Sequence, residues 1–560
     1  MDYFRAQLDA LTSKKGAPKN WSFVSYDQLH LDVGPWGKGN PKDRGLVLVE
    51  STWKPNQRPY HKQKLAFLLT SMRHFALEAA AHGHPVVYLA GTQSYAQVLD
   101  EFTSEHGPIT FMRPAERELR NHLAPLVQTG QLMEAPHQGW LTTPDDFQRA
   151  IKGKKSWRMD SFYRVVRKRT QILMDSAGKP EGGKLSYDAE NRRPWKGEPP
   201  APDIPLFEPD QITLEVGELI EATFSNHPGQ LDLRTIPATV SDAESVWAWG
   251  LRECLTHFGP YEDAMSKESS NLFHTRLSPL LNLHRLLPRR VLEDVLAADL
   301  PLPSKEGFVR QLIGWREFVY HVHEHTDGFR KNVPWTPSQR DIPGDGGYAA
   351  WRGQDWRPKK PAEPASGGAT PNALQVTNPL PPLFWGESSG LYCLDHVVEE
   401  VLRDGYGHHI TRLMVLSNWS MLLGIDPREI TDWFWVAYVD AYDWVVEPNV
   451  LGMGTFATGE FMITKPYISG SAYINKMSDY CSACAFHPKK DCPMTSMYWN
   501  FLNEHQEKLA GNPRLKLVMA SSRKRDEAQK EFDKTIAATV RETLQSGAVL
   551  KPSHLTDLSK

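Results

Sequence analysis

GLVLVE (residues 45–50), KLAFLLTSMRHFALEAAAHGH (64–84) and PVVYLAG (85–91) follow one another closely near the start of the chain. The first and the last are short apolar runs typical of buried strands, and the middle segment has the length and composition of a helix. Gly83 marks the end of this helix, and Pro85 marks the start of the next strand. The stretch therefore predicts a βαβ unit with two parallel strands.

The same alternation continues beyond this unit. SYAQVLDEFTSEHG (94–107) has the apolar spacing of a helix, and ITFMRP (109–114) is another buried apolar run. Parallel strands joined by helices are usually covered on both faces. We therefore expect an α/β domain, a parallel sheet with flanking helices, at 21–150, preceded by an N-terminal extension at 1–20.

The pattern changes after residue 150. We expect an interdomain connector at 151–210, because residues 175–210 are rich in Gly, Pro and charge. Apolar residues then recur at spacings of three and four at 211–325 and 383–515, which predicts an all-α domain. Between these parts, 326–382 is dense in Pro and Gly, and we expect a partly disordered surface insertion. A helical tail is expected at 516–560.

Composition excludes several classes of protein. The chain has 64 basic and 67 acidic residues among 560, so it is not a globally basic nucleic-acid binder, and any contact with DNA must use a local patch. Neither a signal peptide nor a run of eighteen apolar residues is present, so we expect no membrane association. With only five cysteines, the chain is expected to be a cytoplasmic protein rather than a disulfide scaffold.

Four of the five cysteines have a spacing typical of metal ligands. Cys481 and Cys484 form a C-x2-C pair, Cys492 follows closely, and Cys393 lies far upstream. Four thiolates suit a zinc ion, and the spacing by itself favours zinc. The remote Cys393, however, differs from the paired knuckles of a zinc ribbon and suits a [4Fe–4S] cluster better. The residues alone leave both metals open.

Several unusual strings resemble one protein family. They are RQLIGWREF (310–318), GYGHHITRLM (405–414), NWSMLLGIDP (418–427), YVDAYDWVVEPNVLGM (438–453) and TKPYISGSAYINKMSDYC (464–481). In this order they resemble the iron–sulfur bacterial cryptochromes and (6-4) photolyases of the cryptochrome/photolyase family. The resemblance implies an α/β domain joined to a helical domain that holds FAD. It also implies that Cys393, Cys481, Cys484 and Cys492 bind a [4Fe–4S] cluster.

A set of flavin-binding residues is implied as well. The segment 274–278 resembles the family's phosphate-binding loop, and Arg412 and Asp440 match an ion pair beside the flavin ring. The alternatives are that the loop residues only cap a helix and that the ion pair is an ordinary surface salt bridge. The implied set is Tyr261, His274, Thr275, Arg276, Leu277, Ser278, Gln311, Trp315, Arg412, Asp440 and Val446.

The resemblance also assigns roles in catalysis. His408 and His409 match paired histidines near the DNA lesion, and we expect His409 to be the essential acid, because histidine exchanges protons near neutral pH. Tyr467 and Met453 match other positions of the lesion pocket. Trp385, Trp433 and Tyr473 match aromatic residues that pass electrons to the flavin, although each is also a plausible core residue.

Two further sites are implied. Basic side chains around the connector, Lys154, Lys155, Lys184 and Arg192, are expected to contact DNA phosphates, with a solvated helix face as the alternative. Asp27, Gln28, Leu29 and Glu50 resemble the antenna site, which in this branch holds 6,7-dimethyl-8-ribityllumazine. Tyr26 stands where the family has glycine, so this site departs from the usual pattern.

One position of the flavin site also differs from the family. The residue opposite flavin N5 is commonly glutamate, but here it is Val446, followed by Glu447. A valine side chain cannot accept a hydrogen bond from a protonated N5. We therefore expect little neutral flavin radical on illumination, unless the backbone moves Glu447 into place.

Three functions follow from these observations. The first is a bacterial (6-4) DNA photolyase, monomeric, acting on UV-damaged DNA and nucleoid-associated when bound. The second is a blue-light photoreceptor without repair activity. The third is a nucleic-acid-binding protein with a structural zinc ion.

Overall fold

A computed structural model of the protein describes residues 2–13, 16–334, 338–340 and 367–556. Its N-terminal part is built around a five-stranded sheet in which all neighbouring strands are parallel, in the order β3-β2-β1-β4-β5. This confirms the predicted parallel sheet. The strands are β1 (Asn20–Phe23), β2 (Arg44–Ser51), β3 (Val86–Gly91), β4 (Ile109–Met112) and β5 (Leu132–Ala135).

Strand β2 lies inside the sheet, and all of its residues except the first are buried, which explains its continuous apolar sequence. Helices flank the sheet, and the helix between β2 and β3 completes the βαβ unit. The expected extension at 1–20 contains a helix that packs through Phe4 and Leu8. The helices of this part are α1 (Asp2–Thr12), α2 (Lys62–Ala81), α3 (Tyr95–His106), α4 (Arg117–Gln128), α5 (Pro144–Ile151) and α6 (Met159–Thr170).

The remainder of the chain is largely helical, as the sequence predicted. Within the described ranges, no helix combines the length and the apolar character needed to span a membrane. The helices are α7 (Gln211–Thr223), α8 (Val240–Trp249), α9 (Leu255–Tyr261), α10 (Ser278–Asn282), α11 (Pro288–Ala297), α12 (Leu302–Val309), α13 (Glu317–Thr326), α14 (Tyr392–Asp404), α15 (Asn418–Leu423), α16 (Pro427–Ala437), α17 (Asp443–Val446), α18 (Ser471–Met477), α19 (Met494–Glu504), α20 (Gln506–Leu509), α21 (Lys516–Arg523), α22 (Glu527–Gln545) and α23 (Ser553–Thr556).

Wide π-type turns interrupt the helices at four places, Gly250–Cys254, Arg310–Arg316, Thr411–Ser417 and Glu447–Gly454. Such turns insert one residue per turn and are frequent at functional sites, because they change the direction in which side chains point. Candidate site residues occur in three of them: Gln311 in the second, Arg412 in the third and Met453 in the fourth.

The Pro- and Gly-rich segment at 326–382 is only partly a surface insertion. Phe329 and Ala369 are fully buried, and β6 (Gln339–Arg340) pairs with β7 (Gly368–Ala369) in a small antiparallel sheet. Gly368 has a φ of +93°, and a Cβ there would lie 2.5 Å from the Arg428 guanidinium. The expectation of surface chain is therefore wrong for these ends. Residues 335–337 and 341–366 of this segment lie outside the described residues.

Direct hydrogen bonds join the α/β part to the helical part. Lys64 of α2 donates from its buried ammonium to the carbonyl oxygen of Trp435 at 2.8 Å, and the backbone amide of Leu29 donates to the carbonyl oxygen of Leu283 at 2.9 Å. The His61 amide donates to the Val436 carbonyl at 2.8 Å. These contacts fix the helical domain against the sheet.

Two buried histidines near this junction make stability depend on pH. Burial lowers the pKa of His61 and of His227 to about 4, because the charged imidazolium loses its hydration. Below about pH 6.5 the unfolded chain binds protons that the folded chain does not, so stability falls as the pH falls. We expect a loss of about 2 kcal/mol for each histidine between about pH 7.5 and about pH 5.

Thermal unfolding at these two pH values measures the effect. His61→Gln should weaken the pH dependence, whereas His82→Ala, at an exposed position, should leave it unchanged. Equal melting temperatures at both pH values for the unmodified protein would contradict this expectation.

Candidate functional site

An ion pair between Arg412 and Asp440 lies within the helical domain. Two guanidinium nitrogens of Arg412 donate to the two Asp440 oxygens, each at 3.0 Å, and the Ser278 hydroxyl donates to Asp440 Oδ2 at 2.6 Å. Burial by itself raises the pKa of the Asp440 carboxyl, but Arg412 and Ser278 together hold that pKa below its usual value. The side chains are 21% and 7% exposed, so this is not a surface salt bridge.

Two tyrosines that were absent from the predicted set surround this pair. The guanidinium of Arg412 lies 4.0 Å from the ring centre of Tyr438, and that of Arg276 lies 4.2 Å from the ring centre of Tyr406. Burial raises the pKa of Tyr406 to about 12. Both tyrosines stand inside strings that carry the family resemblance, and their neighbours Gly405 and Asp440 could have pointed to them.

Buried polar atoms around the pair indicate a polar ligand. Arg276 Nη1, His274 Nε2, His408 Nδ1 and Tyr438 Oη have no hydrogen-bond partner in the part of the chain that the structure describes. Each such group costs about 1–3 kcal/mol when nothing satisfies it. Arg276 and Tyr406 also line a neighbouring cavity. Of these groups, Arg276 Nη1 and Tyr438 Oη fit the phosphates and the ring of FAD.

The remaining members of the predicted flavin set are less directly placed. Thr275 and Leu277 are buried, which agrees with a packing role for both residues. The Tyr261 hydroxyl donates to the backbone oxygen of Glu198 at 3.1 Å. The side-chain amide of Gln311 donates to the carboxylate of Glu262, the residue after α9, at 2.6 Å. Trp315 is partly buried.

Three histidines lie together beside the ion pair. The rings of His274 and His408 are stacked, with their centres 4.4 Å apart and their planes nearly parallel, and His409 contacts His274 edge-on at 5.4 Å. Burial, followed by the neighbouring imidazoles, lowers the pKa of His274 and of His408 well below the usual value. Both rings are therefore neutral near pH 7.

An aspartate that the sequence analysis missed joins this cluster to the connector. Asp263 Oδ1 lies 3.5 Å from His409 Nε2, and Asp263 Oδ2 lies 3.6 Å from Arg192 Nε. Burial, and then the charge of Asp263, raises the pKa of Tyr473. Burial, and then the charge of Asp188, raises the pKa of Tyr467. The structure thus brings His409, Arg192 and Tyr473 near the Asp263 carboxylate. No motif marks Asp263, because its neighbours come from distant parts of the chain.

Met453, the last predicted residue of the lesion pocket, is partly buried in the wide turn Glu447–Gly454.

The three residues of the predicted electron relay do not all lie together. The Trp433 indole donates to the Phe384 oxygen at 2.8 Å, next to buried Trp385, and its ring centre lies 6.0 Å from that of Tyr438. Tyr473 lies instead near Asp263, as described above.

Val446 is buried, and its neighbour Glu447 is held elsewhere. Glu447 accepts from Arg428 at 2.8 Å, and its second oxygen lies 2.9 Å from His323 Nε2. Burial by itself raises the pKa of Glu447, but His323 and Arg428 hold it far below the usual value. Moving this carboxylate would leave the buried Arg428 guanidinium with one partner fewer. The geometry therefore supports the expectation that Glu447 does not replace the missing glutamate.

The four predicted metal ligands converge near the start of α14. Cys393 lies in its first turn, and burial, then Cys492, Cys484 and Cys481, raises the pKa of its thiol. Four thiolates brought together in this way can hold either a zinc ion or a [4Fe–4S] cluster.

The predicted antenna residues have mixed positions. Asp27 accepts from the Ala115 amide at 3.0 Å, and Gln28 donates to the Met112 and Arg113 oxygens at 3.0 Å, so both support the backbone. Leu29 is a buried core residue. These three residues thus have structural contacts of their own, and their role at an antenna site stays a prediction.

Glu50 does line a cavity, together with Tyr26 and Lys54. Its carboxylate, however, already binds Arg73, at 2.7 and 2.9 Å. Tyr26, the residue that replaces the family's glycine, donates its hydroxyl to Glu116 and so occupies part of this space.

The predicted DNA-binding residues are all exposed. Lys154 and Lys155 have free access to solvent, whereas Lys184 pairs with Glu190 and Arg192 pairs with Asp188. The last two charges are therefore partly neutralised within the connector, and this weakens their attraction for phosphates.

Comparison with known proteins identifies relatives of the chain. A family model described as deoxyribodipyrimidine photo-lyase-related protein matches residues 22–235. A (6-4) photolyase of Agrobacterium fabrum is 32% identical over 509 residues, which cover 87% of this chain and 92% of the relative. An uncharacterised protein of Acanthamoeba polyphaga mimivirus is 35% identical over 108 residues, or 19% of this chain and 81% of that protein.

A solved structure supports the same fold. The crystal structure of a bacterial class III photolyase from Agrobacterium tumefaciens aligns with a TM-score of 0.51 at 15% identity, covering 94% of this chain and 98% of the other. The parallel sheet and the helical domain thus match in fold, and the relative of 32% identity matches in sequence over nearly its whole length. The chain belongs to the cryptochrome/photolyase family, in the branch of the prokaryotic (6-4) photolyases and iron–sulfur bacterial cryptochromes.

Proposed function

We propose that the protein is a DNA photolyase that uses reduced FAD and blue light to repair (6-4) pyrimidine photoproducts. One observation carries the proposal: the partly exposed His409, with a carboxylate beside it, lies in one cluster with His408 and the residues around the buried Arg412–Asp440 pair. The relative named (6-4) photolyase, at 32% identity, supports the choice of lesion.

Several side chains have defined tasks in this mechanism. Bound FAD supplies the light-driven electron transfer. Arg412, Asp440 and Ser278 would present fixed charges and hydrogen-bonding groups to bound FAD, and Arg276 would provide a donor for one of its phosphates. His409 gives a proton to the leaving group of the lesion, with Asp263 pairing with its protonated form.

Three further assignments accompany the proposal. The four clustered cysteines hold a [4Fe–4S] cluster, the cavity beside Glu50 takes a ribityllumazine antenna, and exposed basic residues near the connector contact UV-damaged DNA. The protein acts as a monomer in the bacterial cytoplasm and associates with the nucleoid when it is bound to DNA.

A repair assay tests the proposed function. An oligonucleotide with one (6-4) lesion is incubated with the protein, its flavin fully reduced, under blue light. We expect thymines to be restored in the light and not in the dark, and a cyclobutane dimer to remain unrepaired. No restoration of the (6-4) lesion would contradict repair and favour the blue-light photoreceptor.

A further inference from the structure

The three clustered histidines have the composition of a transition-metal site. His274, His408 and His409 each offer a ring nitrogen, and these nitrogens all lie within 4.8 Å of one another. Their side chains come from two separate segments, one before α10 and one between α14 and the wide turn Thr411–Ser417. Two of the rings are buried, and the third is 40% exposed, so that an ion can enter from solvent.

A second observation, independent of this proximity, points to a ligand. His274 Nε2 and His408 Nδ1 are buried without a hydrogen-bond partner among the described residues. An imidazole nitrogen binds a metal ion through its lone pair. These two nitrogen atoms are therefore available to a bound ligand.

The surroundings provide a partner for a bound ion. Asp263 Oδ1 lies 3.5 Å from His409 Nε2, where it can act as a fourth ligand or orient the imidazole. Three histidines with one open position are a common arrangement for zinc. Imidazole ligands select borderline ions such as Zn²⁺, Ni²⁺ and Co²⁺, whereas Mg²⁺ and Ca²⁺ prefer oxygen ligands.

We propose that His274, His408 and His409 form a binding site for one borderline divalent transition-metal ion, with Asp263 beside it. Binding draws the nitrogens from within 4.8 Å to about 3.3 Å of one another, the separation set by metal–nitrogen bonds of about 2.0–2.1 Å. The stacked His274 and His408 rings must tilt toward the ion, and the exposed His409 side chain is free to follow.

The site has a consequence for repair, which rests on the proposed function. A bound ion occupies the nitrogen lone pairs of His408 and His409, so neither ring can carry the proton that the lesion needs. Zinc is therefore an inhibitor that competes with the proton-transfer role of the cluster. Metal binding itself does not depend on that role.

Titration of the flavin-loaded protein with Co²⁺ tests the site, because cobalt spectra distinguish imidazole from thiolate ligands. We expect saturable binding of one ion, with weak visible bands and no sulfur-to-cobalt charge-transfer band. His274→Ala should weaken binding by at least about 100-fold, in line with the loss of one of three ligands. His82→Ala, at an exposed position, should bind as the unmodified protein does.

A second substitution distinguishes the loss of a metal ligand from the loss of folding, because it adds a spectroscopic band. His274→Cys should keep Co²⁺ binding and gain the charge-transfer band that the unmodified protein lacks. The site would be overturned if the unmodified protein showed no saturable binding, if His274→Ala bound as well, or if His274→Cys bound Co²⁺ without the new band.

Repair measured with and without Zn²⁺ separates this inference from the proposed function. A protein that repairs the lesion but does not bind Co²⁺ overturns the metal site alone. A protein that binds Co²⁺ through these histidines but repairs nothing when metal-free overturns the proposed function and supports the site. Repair that is lost on Zn²⁺ addition and restored by a chelator supports both.

Discussion

Replacing His409 by alanine is expected to lower the rate of light-driven (6-4) repair by at least about 100-fold. His409 is the exposed member of the histidine cluster, and Asp263, 3.5 Å from its Nε2, can stabilise the protonated ring. His408 is buried and its pKa is well below the usual value, mainly because of burial, so it is a weaker candidate for the acid. The measurement is the single-turnover repair rate of the metal-free protein.

Two controls make this result specific. His82→Ala changes an exposed histidine of the α/β part and should repair at the normal rate. Flavin content should be unchanged in His409→Ala, because the Arg412–Asp440 pair keeps its own hydrogen bonds. If His409→Ala keeps more than about a tenth of the normal rate, the proton comes from another group.

Replacing Cys484 by alanine is expected to abolish the iron–sulfur cluster and to reduce the yield of soluble protein severely. The four cysteines join α14 to the segment before α19, two parts that are distant in sequence. Binding of a metal group by ligands from distant segments contributes directly to the free energy of folding. Iron content and the melting temperature measure the effect.

Cys254 provides the matched control. It is the fifth cysteine and is buried, but it lies beside the His274 carbonyl rather than in the cluster. Cys254→Ala should retain iron and flavin and lose about 1 kcal/mol or less, since it removes a single buried sulfur. A stable, flavin-loaded Cys484→Ala protein that had lost only repair would indicate a redox role for the cluster instead.

The spacing of apolar residues within short stretches of sequence was enough to predict the strands and the helix of the βαβ unit. The run at 45–50 forms β2, the helical pattern at 64–84 forms α2, and the run at 85–91 forms β3. These elements were predictable because the spacing of apolar residues is visible within a short stretch of sequence. The segment 326–382 was misjudged, because the burial of Phe329 and Ala369 depends on distant helices.

The candidate site shows the same division. Arg412 and Asp440 were expected as a pair, and they form two hydrogen bonds at 3.0 Å. Asp27 and Gln28 matched a motif, but the structure uses their polar groups to hold backbone atoms near β4. A motif gives residue types, whereas hydrogen-bond partners depend on which segments meet.

The sequence by itself determined the α/β and helical parts, the four clustered cysteines and the family resemblance, because these rest on local periodicity and on residue identity. Only the tertiary structure decided that Asp263 stands beside His409 and Arg192, that His274 stacks on His408, and that Glu447 is held by Arg428. These contacts join residues far apart in the chain. They follow from the packing of whole elements, which no short stretch of sequence encodes.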